Sequence, residues 1–407
     1  MVLGTLLLFL LFCDAFETQF TSHQEPLDVS SASNRKYLIY DVNPGEGFNL
    51  RRDVFLRAAN MVKRMRAKDA NWIFVLPAWP HLYHWQSDLP REGRVPWRRF
   101  FEIEAINNYV PTIEFEDFLK ENGPEIEEIM YLQNYKDGWS DGQEWVEKID
   151  VSDCNESPPY EKDKTGKWQG HFSGFNTDVY GRNFVCVSAQ GETTLLENML
   201  LKRKNLKSVF VDRFETLLHA DFGGKEFWNA RRSLVFARYL KDEAEKFMAK
   251  NLPKKGDDEK GLPYMAVHFR RKDMTWYGRK DVPTLKGAIE QLKPLLKKHK
   301  LDVLFLATDA PDKEVDVLRR DLPIVQYKPT RLKLKEFGDG GVAIVDQWIA
   351  SHARYFIGSE PSTFSYRIHE ERSLMGFSKE STYNRLCYDG DEPGDERCEG
   401  PSYWPPV

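Results

Sequence analysis

Short runs of five or six apolar residues alternate with longer stretches whose apolar positions recur every three to four residues. That alternation predicts an α/β chain. Tyr37–Val42 (YLIYDV) and Trp72–Leu76 (WIFVL) read as buried strands, the first bounded by Asn43 and Pro44 and the second ended by Pro77. Between them Val54, Leu56, Ala58, Met61, Val62 and Met65 follow Leu50 at helical spacing. The stretch 37–57 is therefore strand, glycine-flanked turn and helix in one unit. From 100 to 170 the chain reads as loop-rich, with turn chemistry at Asp137-Gly138-Trp139-Ser140-Asp141-Gly142. Val209–Asp212 reads as a further strand, and 225–250 as one long amphipathic helix.

Residues 251–262 (NLPKKGDDEKGL) are charged, punctuated by glycine and proline, and mark a domain boundary. Beyond it the alternation is regular: strands at 264–269, 302–307, 323–327 and 354–358, helices at 284–299, 312–320, 341–353 and 362–374. Strands alternating with helices predict parallel βαβ units in a doubly wound sheet. The expected architecture is two facing Rossmann-like α/β domains, 35–250 and 263–407, with a ligand cleft at the carboxyl ends of their strands.

The chain has 407 residues, 41% of them hydrophobic, enough for two cored domains. Its net charge of -5 and pI of 6.1 give no global pull toward nucleic acid or anionic lipid. Residues 2–12 (VLGTLLLFLLF) are too short to span a bilayer and are followed by Cys13-Asp14-Ala15, so 1–15 reads as a secretory signal peptide without the usual basic start. A polar arm, 16–34, follows. No second stretch reaches membrane-spanning length, and the mature chain is expected in the secretory lumen without membrane insertion. Removing Cys13 leaves Cys154, Cys186, Cys387 and Cys398, which allow three pairings. Sequence proximity favours Cys154–Cys186 and Cys387–Cys398. A sequon, Asn155-Glu156-Ser157, is followed by Pro158, and the terminal PSYWPPV is no KDEL-type signal.

Candidate chemistry sits at the ends of strands. Gly45 and Gly47 let backbone N–H groups approach a ligand at a helix N-terminus, a cradle suited to an anion or sugar nucleotide. Glu46 between them either complements the helix dipole or acts as a general base. His268-Phe269-Arg270-Arg271-Lys272-Asp273 closes the first strand of the second half, where arginine can neutralise a departing diphosphate. In 357–372 (IGSEPSTFSYRIHEER), Ser362 and Thr363 stand where a helix follows a strand, placed to hold phosphate oxygens or merely to cap. Asp346, among apolar neighbours, could pair with the N–H edge of guanine, or be a plain helix-end acid. His369, Glu370 and Glu371 could be surface charges. Gly45-Glu46-Gly47-Phe48-Asn49-Leu50 lacks the third glycine of a dinucleotide fingerprint, and the strand after it offers no acid for a ribose. Asp389-Gly390-Asp391 lies in an acidic tail and reads as a turn. His81 and His84, in the aromatic segment 79–85, have no third ligand nearby and read as groove or core residues.

Taken together, YLIYDVNPGEGFNLRRDV, HLYHWQS, GGKEFWNARRSLVFAR, VHFRRKD, ATDA, GGVAIVDQWIASHARYFIG and STFSYRIHEER closely resemble the protein O-fucosyltransferases that transfer fucose from GDP-fucose to Ser or Thr of folded thrombospondin type 1 repeats in the endoplasmic reticulum. The similarity covers nearly the whole mature chain. It implies a GT-B-like fold, an inverting mechanism and no required metal or other cofactor. By matching positions it implies Glu46 as catalytic base, with Gly45, Glu46, Gly47, Phe48 and Asn49 contacting the sugar nucleotide. His268, Phe269 and Arg270 would hold the diphosphate, Arg270 stabilising the leaving group. Asp346 would recognise guanine, and Ser362, Thr363 and Phe364 would bind GDP. Glu371 matches a residue needed for activity. The departure lies at Glu360 and Pro361, beside the retained Ser-Thr-Phe. A fucosyltransferase acting on EGF-like repeats or glycans, and a non-catalytic lectin or chaperone of the same fold, are the rival readings.

Overall fold

Strand β1 (Lys36–Tyr40) sends Leu38 and Tyr40 into one apolar cluster and Tyr37 and Ile39 into another. A strand covered on both faces must do so, which is why YLIY is apolar throughout. The computed structural model describes residues 34–85, 94–138, 144–254, 260–272, 282–360, 362–390, 398 and 400–407. The expected signal peptide with Cys13, the expected arm up to residue 33, residues 139–142 of the glycine-rich turn, Asp273, Pro361 and Asp391 lie outside the described residues.

After β1 come α1 (Phe48–Lys68), β2 (Trp72–Leu76), α2 (Ile103–Tyr109), β3 (Thr112–Glu114), α3 (Phe115–Asn122), β4 (Glu125–Gln133), β5 (Lys148–Ser152), β6 (Tyr160–Lys162), β7 (Trp168–Gly170), β8 (Tyr180–Gln190), α4 (Thr193–Leu201), β9 (Ser208–Asp212), α5 (Lys225–Ser233) and α6 (Arg238–Asn251). The second half holds β10 (Leu262–Phe269), α7 (Leu285–Lys298), β11 (Leu304–Thr308), α8 (Asp312–Arg319), β12 (Ile324–Val325), α9 (Arg331–Ser351), β13 (Ala353–Ile357) and α10 (Thr363–Leu374).

The strands up to β9 form one sheet in the order β3-β2-β1-β9-β4-β8-β7-β6, with β5 also on β8. Pairing from β3 through β8 is parallel, and β5, β6 and β7 add an antiparallel margin. Disulfide Cys154–Cys186 ties that margin to β8, and Cys387–Cys398 closes the C-terminal segment, the pairing that sequence proximity favours. The second sheet is β12-β11-β10-β13, all parallel. Among the described residues no helix is long and apolar enough to cross a membrane.

Several elements differ from the sequence reading. The stretch expected to be loop-rich contains β4, a central strand. Its EIEEIMYLQ looks polar because its glutamates have partners at the sheet's rim: Glu127 accepts the Lys207 N–H at 2.7 Å and Glu128 pairs with Arg203. Strand β8 was likewise unread. The helix expected over 225–250 is two, because the chain turns out at 234–237 to bond residues 100–102: Glu102 N–H donates to the Val235 carbonyl and Ala237 N–H to that of Phe100, both at 2.9 Å. Helix α9 is broken at Gly338 (φ 66°, ψ 173°), so the helix expected from 341 is present and a further helical segment from Arg331 precedes the break. The glycines there have a packing role, since a Cβ on Gly340 would come within 2.8 Å of the Phe100 ring.

In each sheet the chain leaves its first strand in one direction and later crosses to the other side. The crevices where strand order reverses therefore fall between β1 and β9, and between β10 and β13. The strands change sheet across 251–262, but the core does not divide there. A single apolar cluster runs from Leu38, Phe48 and Phe55 to Ala266, Phe305, Ile344 and Phe356, and Lys36–Val407 forms one compact unit.

Candidate active site

Chain leaving β1 enters the turn Asp41–Gly47, and α1 begins at once. Gly47 stands at the N-cap position with extended backbone, no side chain caps the helix, and no acid occupies its first turn, so the dipole end is left open. Glu46 lies half-buried on this turn, its N–H donating to the Asn43 carbonyl at 2.9 Å. Arg51, one turn into α1 and buried, reaches back over the same loop. Its Nε donates to the Glu46 carbonyl (3.2 Å), its Nη1 to Asp41 Oδ1 (3.0 Å), and its Nη2 to the carbonyls of Val42 and Asn43 (both 2.9 Å). Phe48 anchors the helix start from the other side, buried among Trp79, Trp85, Phe100 and Phe101. The side chain of Phe48 is thus buried in the core, 1% exposed. His84 of the aromatic segment packs over Gly47, its Cε1 3.2 Å from where a Cβ would stand.

The β10–β13 crevice gathers the second set. Ser359 stitches the two strand ends together: its Oγ donates to the His268 carbonyl and accepts from the Arg270 N–H, each at 3.0 Å. His268 is buried, its Nδ1 2.8 Å from Ser365 Oγ, and its ring stacks on Phe364 with centroids 4.3 Å apart. Burial, reinforced by Arg270, pushes its pKa down to about 3, so the ring is neutral at physiological pH. Phe269 points into the outer core, and only its backbone borders the crevice. Arg270 is partly exposed, its Nε 3.4 Å from Asp309 at the end of β11. Ser362 occupies the N-cap position of α10 but makes no capping bond, and no acid sits in that first turn either. Simple capping therefore does not account for Ser362. On α9, Asp346 keeps a buried Oδ1 without a partner among the described residues, and burial alone pushes its carboxyl well above the ordinary range.

Charged side chains join the two halves. Arg52 stacks over Phe48, Phe101 and Phe236 and donates to Gln347 Oε1 on α9 at 2.6 Å, while Gln347 Nε2 donates to Asn49 Oδ1 at 2.8 Å. Asn49, a candidate sugar-nucleotide contact, is thereby committed to the neighbour of Asp346. Arg231 on α5 donates through Nε to Glu370 (2.7 Å) and through Nη2 to Glu371 (2.5 Å) on α10. Glu371 is therefore no free surface charge: it helps hold α10 to the first half. Asp53 lies 3.5 Å from Arg367 and also meets His219 and Arg57. Burial disfavours its charge, but these neighbours outweigh that and hold its carboxyl low.

The N-terminal turns of α1 and α10 line one cavity of about 390 Å³, with Leu50 and Asp53 on one wall, Thr363, Tyr366 and Arg367 on another, and Phe222 and Trp404 at its side. Glu46 lies just before Leu50 along the chain, and Arg270 is bonded to Ser359, the neighbour of the lining residue Glu360. Neither Glu46 nor Arg270 lines the cavity itself. A larger cavity of about 610 Å³ lies between α7 and the 383–400 segment, away from both helix starts. Of the candidate residues only Thr363 lines the smaller cavity, whose other walls come from Leu50 and Asp53 of α1, from Tyr366 and Arg367 of α10, and from Phe222, Glu360 and the 401–404 segment. His81 and Tyr83 are exposed, and among the described residues no three His, Cys, Asp or Glu side chains gather as a metal site.

Sequence reasoning passed over Arg51, Arg52, Asp53, Ser359 and Arg367. For the first three a signal existed: three charges, RRD, directly after a glycine turn on a helix otherwise patterned for burial. It passed over a carboxylate group at the β1–β9 crevice as well. Asp212, which accepts from Tyr160 Oη at 2.8 Å, is pushed up to about 7 by burial and by Asp41. Glu215, which accepts from the Asn43 N–H at 3.3 Å, is raised to about 7, mainly by burial.

A family profile described as GDP-fucose protein O-fucosyltransferase matches residues 37–375. GDP-fucose protein O-fucosyltransferase 2 of Homo sapiens is 43% identical over 95% of this chain and 94% of its own length, that of Caenorhabditis elegans 42% over 92% and 91%, and that of Drosophila melanogaster 33% over 89% and 81%. The fold is similar to the crystal structure of POFUT1 in complex with GDP-fucose, with TM-score 0.56 and 17% identity over 84% of this chain and 95% of that one. The paired sheets with their crevices are of the GT-B-like kind. On this evidence the chain belongs to the GDP-fucose protein O-fucosyltransferase family and is a fucosyltransferase.

Proposed function

We propose that the enzyme is an inverting transferase that moves fucose from GDP-fucose to Ser or Thr hydroxyls of folded thrombospondin type 1 repeats in the endoplasmic reticulum lumen, with no metal cofactor. The acceptor class, the lumenal location and the absence of a metal requirement follow from the family resemblance together with the leader-like N-terminus. The observation that supports the chemistry is the cavity lined by Leu50 and Asp53 of α1 and by Thr363 of α10, between two helix N-termini that carry neither a capping side chain nor a first-turn acid.

In this reading guanine pairs with the partnerless Asp346, and the diphosphate lies along the β10–β13 crevice. Backbone N–H groups at Thr363 and Phe364, the α10 dipole and Arg270 neutralise it there. Asp309, 3.4 Å from Arg270, keeps the guanidinium oriented before the nucleotide arrives. Neutral His268 holds Ser365 and supports the ring of Phe364. Glu46 takes the proton from the acceptor hydroxyl as its oxygen attacks fucose C1 from the face opposite GDP. Arg270 stabilises the charge growing on the β-phosphate. The aromatic segment 79–85, with Tyr83 exposed and His84 over Gly47, offers the surface that receives the acceptor domain.

The test is transfer to a panel of folded thrombospondin and EGF-like repeats by wild type and Glu46→Ala, with the anomeric configuration of the product read by NMR. Expected are transfer to thrombospondin repeats alone, inversion, and loss of at least about a hundredfold in kcat for the variant, the size typical of a lost general base. Undiminished turnover removes Glu46 from the base role. Transfer to EGF-like repeats alone replaces the acceptor assignment.

A further inference from the structure

We infer that Arg51 is a positioning residue for the catalytic base: its guanidinium is the template around which the Glu46 loop is wrapped. The inference rests on the reading of Glu46 as base and goes beyond it. Among the described residues no side chain holds the Glu46 carboxylate, so its place is set by its backbone. That backbone is gripped chiefly by one group. Four Arg51 donations, at 3.2, 3.0, 2.9 and 2.9 Å, go to the Glu46 carbonyl, the Asp41 carboxylate and the carbonyls of Val42 and Asn43, the sharp bend between the end of β1 and the start of α1.

The clamp is rigid because its other end is rigid. Asp41 has no exposed surface and also accepts from the Val42 N–H at 2.7 Å and from Ser173 Oγ at 2.5 Å. Ser173 is held at a left-handed φ of 45°, and Arg213, beside the same crevice, at 59°. Non-glycine residues persist in that region only where their surroundings fix them. Glu215, accepting the Asn43 N–H, supports the loop from its other edge. A planar fork can serve divergent acceptors at once, whereas a lysine ammonium is a point charge on a flexible stem and could keep the Asp41 pair but not the three carbonyls. Arg51 touches the backbone of Glu46 and, in this reading, no substrate.

The experiment compares Arg51→Lys and Arg51→Met with wild type in kcat and KM for GDP-fucose, in the thermal shift produced by GDP, and in the Glu46→Asp background. Expected is a fall of about a hundredfold in kcat, the order associated with ångström-scale misplacement of a reacting group, with KM for GDP-fucose and the GDP shift unchanged. Arg51→Lys, which keeps the charge opposite Asp41, serves where Arg51→Met fails to fold. In the Glu46→Asp enzyme, whose carboxylate is already displaced, Arg51→Lys is expected to cost far less than in wild type, because the two changes spoil the same placement. Equal costs in the two backgrounds, full kcat in Arg51→Lys, or a loss confined to KM and the GDP shift would each overturn the positioning role. Wild-type turnover by Glu46→Asp and Glu46→Ala would instead bring down the base assignment, and this inference with it.

Discussion

Asp346 carries opposing demands in one side chain. Its Oδ1 is buried without a partner among the described residues, and burial raises the carboxyl pKa well above the ordinary value. The folded state therefore binds a proton that the unfolded chain has released. The associated stability is fully present below the ordinary carboxylate range and is lost as pH rises toward the raised value. Asp346→Asn should accordingly raise the melting temperature of the nucleotide-free enzyme at pH 7 to 8 and change it little near pH 4. The same substitution should weaken GDP binding by about 10- to 100-fold, the value of a hydrogen-bonded charge. Melting curves with and without GDP read both effects. A variant that lowers apo stability at neutral pH while binding GDP normally would show that the carboxylate has another partner.

At the level of elements, α10 carries the Ser362-Thr363-Phe364 cradle at its start and is tied at its middle to α5 by Arg231. The pair Arg231–Glu370 is almost wholly out of solvent, with side-chain exposures of 1% and 0%. Removing one member of a buried pair leaves the other charge to its remaining partners, whereas the intact pair adds little net stability. Glu370 keeps Arg367, 2.6 Å away, but Glu371 loses its arginine, so Arg231→Met should cost about 3 kcal/mol in denaturant unfolding, the lower end for a broken buried pair. Replacing Arg231 and Glu371 together by apolar residues of similar size, which leaves the Arg367–Glu370 pair intact, should recover much of that loss. If Arg231→Met alone unfolds like wild type, the tie between α5 and α10 contributes nothing in solution.

At the level of the whole molecule, the two sheets share one apolar cluster, and Arg52, Asn49 and Gln347 bond across between α1 and α9. A core divided at the 251–262 boundary would let the halves melt separately. A shared one makes them unfold together, because neither half can open without exposing the same cluster. Calorimetry should show one transition, moved to higher temperature by GDP, which binds only the folded enzyme. Two resolved transitions, with only the later one shifted by GDP, would mean that the halves are held together by less than this packing suggests.

What the sequence determined is what local physics determines. Strand and helix periods were legible at β1, β2, β10 and β11, as were the glycine turn before α1 and the ordered disulfide pairs, because each depends on residues near in sequence. The glutamate-rich β4 was not, since its acids are tolerated only because Lys207 and Arg203 come to them from elsewhere in the fold. The same holds at the site. Glu46, His268, Arg270 and Thr363 could be picked out by residue type at strand ends, but nothing in the chain order shows that Arg51 folds back over its own loop or that Glu371 is spent on Arg231. Nor does it show that α1 and α10 meet at one cavity. Those arrangements depend on side chains with many torsions finding partners across sheets, and only tertiary packing selects among them.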